Sequence, residues 1–327
     1  MRARFSFKYL IIAAITIVLV LAILKNISLD STWQSLKQIG FGTLLVCFGL
    51  HFIVFVFRSL PMKLLLVQVP FLKLLNAHLI HNFYLQIVPA SLGELTLPEL
   101  LKAYVNRTKT LSGLLVARLH SIALVGLIFF ASILLLFRDF HFLHLEYKKI
   151  YTYLLVGLVV LIFLAILVFK SKKHNAIVSR LKNRLSLVFN EVKDVVIRSM
   201  LPRTLIVITG SNMLYLLFMA LFYKVLLVRI GVELGVIQIL FIMTIQVAIL
   251  LLPIKSFGGF GTTEGSWMLG MMVLGIERGV ALETGVIVHI IALVSAFFFF
   301  TVGLTIRSIS AKWRMSGSAS ISSKSKS

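Results

Sequence analysis

Apolar runs close to the length of a membrane span follow one another along this 327-residue chain, and they leave few folds open. A helix needs about 20 consecutive apolar residues to cross the hydrocarbon core. Runs of that order cover residues 9–24, 41–57, 112–137, 151–169, 204–228 and 285–306. In lipid each backbone N–H and C=O must find a partner within the protein, so spans of this length are helices. The expected architecture is an all-α integral membrane protein with about six full crossings. Composition agrees: 59% of residues are hydrophobic and mean hydropathy is +1.03, values that exclude an ordinary soluble domain.

Two further apolar stretches, 74–104 and 236–276, are interrupted in the same way. The first reads Phe83-Tyr-Leu-Gln-Ile-Val-Pro89-Ala-Ser-Leu-Gly93-Glu94. The second reads Ala248-Ile-Leu-Leu-Leu-Pro253-Ile-Lys255-Ser-Phe-Gly258-Gly259-Phe-Gly261-Thr-Thr-Glu264-Gly265. In each, an apolar run meets proline, then glycine, then a carboxylate. Backbone freed by such a break is tolerated at membrane depth only where it is buried in protein or lines a wet cavity. Interrupted segments at matching places in two halves point to a transporter's binding site.

The net charge of +22 raises the question of nucleic acid, but the basic residues sit between apolar runs, where the positive-inside rule expects them. Anionic lipid is the partner that this pattern suits, and nucleic acid is not expected. If six helices cross and both broken segments re-enter, residues 170–203 and both termini are cytoplasmic. That loop carries nine basic residues against Glu191 and Asp194, whereas the expected external loops 25–40, 138–149 and 224–235 carry seven together. Two re-entrant segments and two full crossings satisfy this count equally. The first geometry makes an inverted repeat. Arg2, Arg4 and Lys8 ahead of the first run, with no small-residue cleavage site before Lys25, suggest a retained signal anchor. Within 170–203, Ile177, Leu181, Leu185 and Val188 recur at helical spacing, as on an amphipathic cytoplasmic helix. Residues 1–310 are expected to form one transmembrane domain, followed by a disordered Ser-rich basic tail at 311–327. The single cysteine, Cys47, lies in an apolar run and excludes an intramolecular disulfide.

A charged side chain at the membrane centre costs about 2.5–3.5 kcal/mol on insertion scales, which makes it a functional candidate by default. Glu94 is open to two readings: a site carboxylate, or the acid of a Ser91-Leu-Gly-Glu94 capping box. Thr96-Leu-Pro-Glu99 fits the same box, with Lys102 following, so Glu99 reads as a cap or an interfacial residue. Gly258, Gly259 and Gly261 feed a helix that starts near Ser266, and such an N-terminus presents N–H groups and a partial positive charge to a phosphate. Lys255 precedes these glycines, and Glu264 is either part of the site or the cap of that helix. Arg118 is a candidate for snorkelling to the interface, or for pairing with Glu94 or a lipid phosphate. Arg58, at the end of its run, reads as an interfacial anchor. His51, His78, His81 and His289 form no metal-ligand pattern, and no metal or cofactor is expected. Asn82 and Asn212 read as interhelical hydrogen-bonding residues, and residues 297–300, all Phe, as lipid-facing packing. The chain offers no Ser/His/Asp set, paired-acid pattern or nucleotide loop, so it is not expected to be an enzyme.

These elements carry a resemblance. The run from Asn82 through Pro89 to Gly93 and Glu94, the stretch Leu111-Ser-Gly-Leu-Leu-Val-Ala-Arg118, and the signature from Pro253 through Gly258-Gly-Phe-Gly-Thr-Thr-Glu264 resemble the lysylphosphatidylglycerol synthase transmembrane-region family of flippase-like membrane proteins. The resemblance spans residues 9–306, and its Gly-Gly-x-Gly-x-x-Glu element is the most specific part. It implies movement of an aminoacylated phospholipid between leaflets, or a place in hopanoid or polyprenol-linked glycan pathways. It places the family's Gly-Glu pair on Gly93 and Glu94, its arginine on Arg118 and its second acid on Glu264. Ala117 and Ser121 stand where members often carry acids. Leu92 and Leu97 stand near an arginine position, and Lys255 where a neutral residue is more common. The family's soluble aminoacyl-transfer domain is absent from this sequence, so the chain is not expected to be the synthase itself.

The expectation is therefore lipid translocation across the cytoplasmic membrane, with anionic or aminoacylated head groups as partners. A membrane enzyme or a second copy of the chain is a further possible partner. A non-transporting accessory subunit docking through 170–203 is the alternative, and a transferase acting on lipid-linked sugars ranks below it.

Overall fold

The computed structural model describes residues 7–89, 92–136, 193, 195–250 and 256–324, with side chains placed between 12 and 309. The expected span at 151–169, Lys255 and most of the basic loop 170–203 lie outside the described residues. All regular structure among the described residues is helical.

Four helices are long and apolar enough to cross a membrane: α3 (Phe41–Leu65), α6 (Arg107–Leu136), α7 (Pro202–Arg229) and the Arg278–Ile309 part of α10 (Arg278–Lys324). The chain is a multi-pass membrane protein. Ile206, Leu127 and Leu134 stand exposed on its surface, as lipid contact requires. The first expected span falls on α1 (Phe7–Asn26), which meets α2 (Leu29–Gln38) at an 85° bend; the pair makes a fifth candidate span. The reading of 25–40 as a plain loop is corrected here. Ser28 caps α2 by accepting the Ser31 N–H, Asp30 sits in its first turn and Lys37 in its last, so both helix ends carry complementary charge. Leu29 and Trp33 are exposed, and Lys37 lies 5.3 Å over the Trp33 ring.

A second correction concerns Arg58. The sequence reading ends its run at residue 57, but α3 continues to Leu65 with Arg58 and Pro61 inside it. The seven residues after Arg58 put it roughly 10 Å from the end of the helix, at 1.5 Å rise per residue. Within the helix, Arg58 donates to Asn82.

Both interrupted stretches are helix–break–helix units. The first is α4 (Phe71–Ile87), a 3₁₀ turn at Leu92–Leu95, and α5 (Thr96–Leu101). The second is α8 (Val236–Leu250), a 3₁₀ turn at Phe257–Gly259, and α9 (Thr262–Val273). α4, at 17 residues, is shorter than the roughly 20 residues of a standard span. α4 packs between α3 and α10, and α8 against α6, α7 and α9. In lipid, close packing rather than exclusion of water holds helices together. The main core supplies it with Cys47, Phe222, Ile242, Trp267, Met271 and Ile287, and a second cluster of Met62, Leu66, Leu74, Leu97 and Leu101 lies under the first break. Residues 297–300 are only partly lipid-facing. Phe297 and Phe298 are exposed, but Phe299 is buried against Phe55, and Phe300 stacks on Phe83 with ring centroids 4.5 Å apart.

Candidate functional site

A cavity of about 250 Å³ opens between α3, α4, α6 and α7, beside the first break. Arg58 and Pro61 of α3, His78 and His81 of α4, Glu94 of the 3₁₀ turn, Arg118 and Ser121 of α6, and Asn212 and Tyr215 of α7 line it. Met62, Leu114, Ile122 and Val247 complete an apolar remainder. Arg118 lies eleven residues into α6, roughly 17 Å along the axis. Its guanidinium pairs with the Glu94 carboxylate, the partner that the sequence reading left open. Glu94 is mostly covered, with 15% of its side chain exposed, while Arg118 is half exposed toward the cavity. Arg58 Nη1 donates to Asn82 Oδ1 at 3.1 Å, and among the described residues no carboxylate lies within ion-pair distance of Arg58. Two guanidinium groups facing one carboxylate leave the lining cationic, with the histidines counted as neutral.

Gly93 makes this corner possible. A Cβ there would stand 2.6 Å from the Tyr84 carbonyl oxygen and 2.9 Å from Leu85 Cα, both backbone atoms. Only glycine lets the 3₁₀ turn lie directly on the end of α4, and that contact places Glu94 opposite Arg118. Thr96 fastens the same corner: its hydroxyl donates to the Gly93 carbonyl at 2.7 Å and meets His81 Nδ1 at 2.6 Å. Ser91, the partner in the capping-box reading of Glu94, lies outside the described residues; the contact seen at the Glu94 carboxylate is with Arg118. Glu99 is an exposed residue paired with Lys102 and, at 2.6 Å, with Arg107; neither Glu99 nor Lys102 lines the cavity.

The second break is built differently. Glu264 is 2% exposed. Its Oε2 accepts the Gly261 N–H at 2.7 Å, and its Oε1 accepts from His289 Nδ1 at 2.7 Å. The carboxylate therefore caps α9 and ties it to α10. Gly258, Gly259 and Gly261 hold φ of 64°, 75° and 84°, the left-handed region that favours glycine. At Gly261 a Cβ would also collide with Leu19 of α1 at 2.4 Å. Amides of this loop are committed within the protein: Phe257 N–H to Thr16 Oγ1, Gly259 N–H to the Ser256 carbonyl, Phe260 N–H to the Phe257 carbonyl, and Gly261 N–H to Glu264. Glu264 and these glycines do not line the cavity beside the first break, so the two candidate groups are not brought together there.

Sequence reasoning missed the parts played by Arg58, Thr16 and the buried histidines. His51 bonds Ser295 at 2.7 Å, His78 bonds Ser59 at 2.7 Å, and His289 holds Glu264. For Arg58 the sequence left no clear signal, since Ser59, Pro61 and Lys63 follow it and read as the end of a run. The histidine partners lie on other helices or across the break and left no local pattern.

Comparison with known proteins bears on the same region. A family model described as the lysylphosphatidylglycerol synthase TM region matches residues 8–301, and the chain belongs to that family. No curated protein and no solved structure matches the chain.

Proposed function

We propose that this member of the lysylphosphatidylglycerol synthase TM-region family moves a polar-headed lipid between the leaflets of the cytoplasmic membrane without changing it chemically. The observation that carries the reading is the placing of Arg58, Arg118 and Glu94 on one cavity between apolar helices. Ionisable groups at that depth are expensive and mark substrate paths. A lipid phosphate entering the cavity would take over Arg118 from Glu94 and draw on Arg58, so the Arg118–Glu94 ion pair is exchanged for contacts with the head group. Guanidinium suits this role because its planar fork matches phosphate oxygens. The acyl chains stay in the bilayer while the head group crosses through the protein. Anionic and aminoacylated phospholipids are the lipid classes that this cationic lining suits.

In this reading the second broken segment is a brace: Glu264, His289 and Thr16 fix the glycine loop against α10 and α1.

The test is leaflet exchange of fluorescent phospholipids in liposomes holding purified protein, beside Glu94→Gln, Arg118→Ala and Arg58→Ala. Exchange by the unaltered protein and a loss of tenfold or more in the variants are expected, since hydrogen bonds to a charged group contribute about 1.5–3 kcal/mol each. Exchange that is unchanged in all three well-folded variants would sink the reading. Loss of exchange on charge reversal within 170–203 alone would favour an accessory role.

A further inference from the structure

The cavity holds hydrogen-bonding capacity that the protein does not use, and the chemistry of the missing partner can be worked out. A hydroxyl has one hydrogen to donate. Thr96 gives its hydrogen to the Gly93 carbonyl at 2.7 Å, so the 2.6 Å contact between Thr96 Oγ1 and His81 Nδ1 requires the imidazole to donate. The same holds one turn earlier. Ser59 gives its hydrogen to the Phe55 carbonyl at 2.8 Å, so His78 Nδ1 donates to Ser59 Oγ at 2.7 Å. With Nδ1 carrying the proton, the neutral His81 ring presents a lone pair at Nε2, an acceptor.

Among the described residues that acceptor has no partner. His81 is 1% exposed and lines the cavity, yet its Nε2 is buried without a hydrogen bond. Buried polar atoms left so are rare in native proteins and call for a specific explanation. On the opposite wall, the Asn212 Nδ2 donor is likewise buried without a partner. The lining thus divides into two kinds. Arg58, Arg118 and Asn212 are donors and suit phosphate oxygens, whereas His81 Nε2 and the Glu94 carboxylate are acceptors. A phosphate alone would satisfy the first set and present only lone pairs to the second. A head group that carries an N–H or O–H beyond its phosphate would satisfy both.

We infer that His81 is a specificity-determining residue, whose Nε2 accepts a hydrogen bond from an ammonium or hydroxyl group on the head group of a phosphodiester lipid. The inference rests on the translocation reading above for its ligand class. It adds that, among lipids of equal charge, the cavity favours the one that carries a donor. Thr96 is the positioning residue, because its bond to Nδ1 holds the ring in the accepting tautomer.

The experiment compares two pairs of lipids that differ in the donor at constant charge: phosphatidylethanolamine with phosphatidylcholine, and phosphatidylglycerol with phosphatidylmethanol. Leaflet exchange in proteoliposomes is expected to favour the donor-bearing member of at least one pair by about tenfold, the discrimination of one satisfied against one orphaned buried group. The ethanolamine pair answering alone identifies the donor as ammonium, and the glycerol pair alone as hydroxyl. His81→Phe should bring the ratio towards one. Thr96→Val, which keeps the imidazole but frees its tautomer, should move the ratio the same way. Equal rates within both pairs for the unaltered protein, or a ratio that survives His81→Phe, overturns the inference. If no lipid exchanges, translocation itself fails, and thermal stabilisation of the detergent-solubilised protein by the same four lipids decides the remainder. Stronger stabilisation by the donor-bearing lipids, lost in His81→Phe, supports His81 as the acceptor, and equal stabilisation overturns it.

Discussion

Replacing His289 by phenylalanine should be among the most damaging single changes in this protein, and a second substitution should partly repair it. His289 is 5% exposed and Glu264 2%, so neither side chain has solvent to fall back on. Phenylalanine roughly keeps the ring volume and the packing against Phe260, whose centroid is 5.0 Å from that of the imidazole. What it removes is the Nδ1 donor to Glu264 Oε1. The carboxylate then keeps one hydrogen bond, from the Gly261 N–H, and loses the other in a low-dielectric interior. Breaking a buried pair from one side costs about 3–5 kcal/mol, because a charge is left behind. At roughly 2–4 °C per kcal/mol, a fall of about 6 °C or more in the melting temperature is expected. Adding Glu264→Gln removes that charge, and the amide oxygen can still accept from Gly261. The double variant should therefore unfold at a higher temperature than His289→Phe alone. Thermal unfolding of the purified protein in detergent, read for both single variants and the double, gives the coupling directly. If the double variant is no more stable than His289→Phe, the account of Glu264 as a buried, mutually held carboxylate is refuted.

Two more perturbations follow from the geometry. Gly93→Ala should lower the melting temperature by the equivalent of about 1–3 kcal/mol, the usual cost of overpacking, because its Cβ meets backbone at 2.6 Å; Gly126→Ala, with nothing within 4 Å, is the control and should change little. Glu99→Ala should leave the melting temperature nearly unchanged in the same assay, despite its two ion pairs, since exposed pairs contribute little.

How much of this protein can be read without its structure differs from element to element. The interruptions from Pro89 to Glu94 and from Pro253 to Glu264 are visible as Pro-to-Gly-to-acid patterns, and among the described residues they contain the 3₁₀ turns at Leu92–Leu95 and Phe257–Gly259. The extent of α3 is not visible, because a cation in the sequence looks like the end of a span whether it faces water or a cavity. Arg58 is such a case: packing of α3 against α4, α6 and α7 decides which it faces. α2 escaped notice for a related reason, since a ten-residue surface helix with polar neighbours has the composition of a loop.

The sequence by itself determined the class of the protein, the number and length of its apolar runs, the two interruptions and the short set of charged residues within them. These depend on a solvent requirement that acts locally: a run in lipid must be apolar and must satisfy its own backbone. Tertiary structure alone decided what those residues do. Arg118 reaches Glu94 across 24 positions, His289 reaches Glu264 across 25, and Thr16 reaches Phe257 across 241. Pairings of that kind are set by how helices pack, and a single side chain can cap a helix or line a cavity with no change in the sequence around it. That is why two acids in near-identical contexts end so differently, Glu94 beside a cavity and Glu264 locked inside the fold.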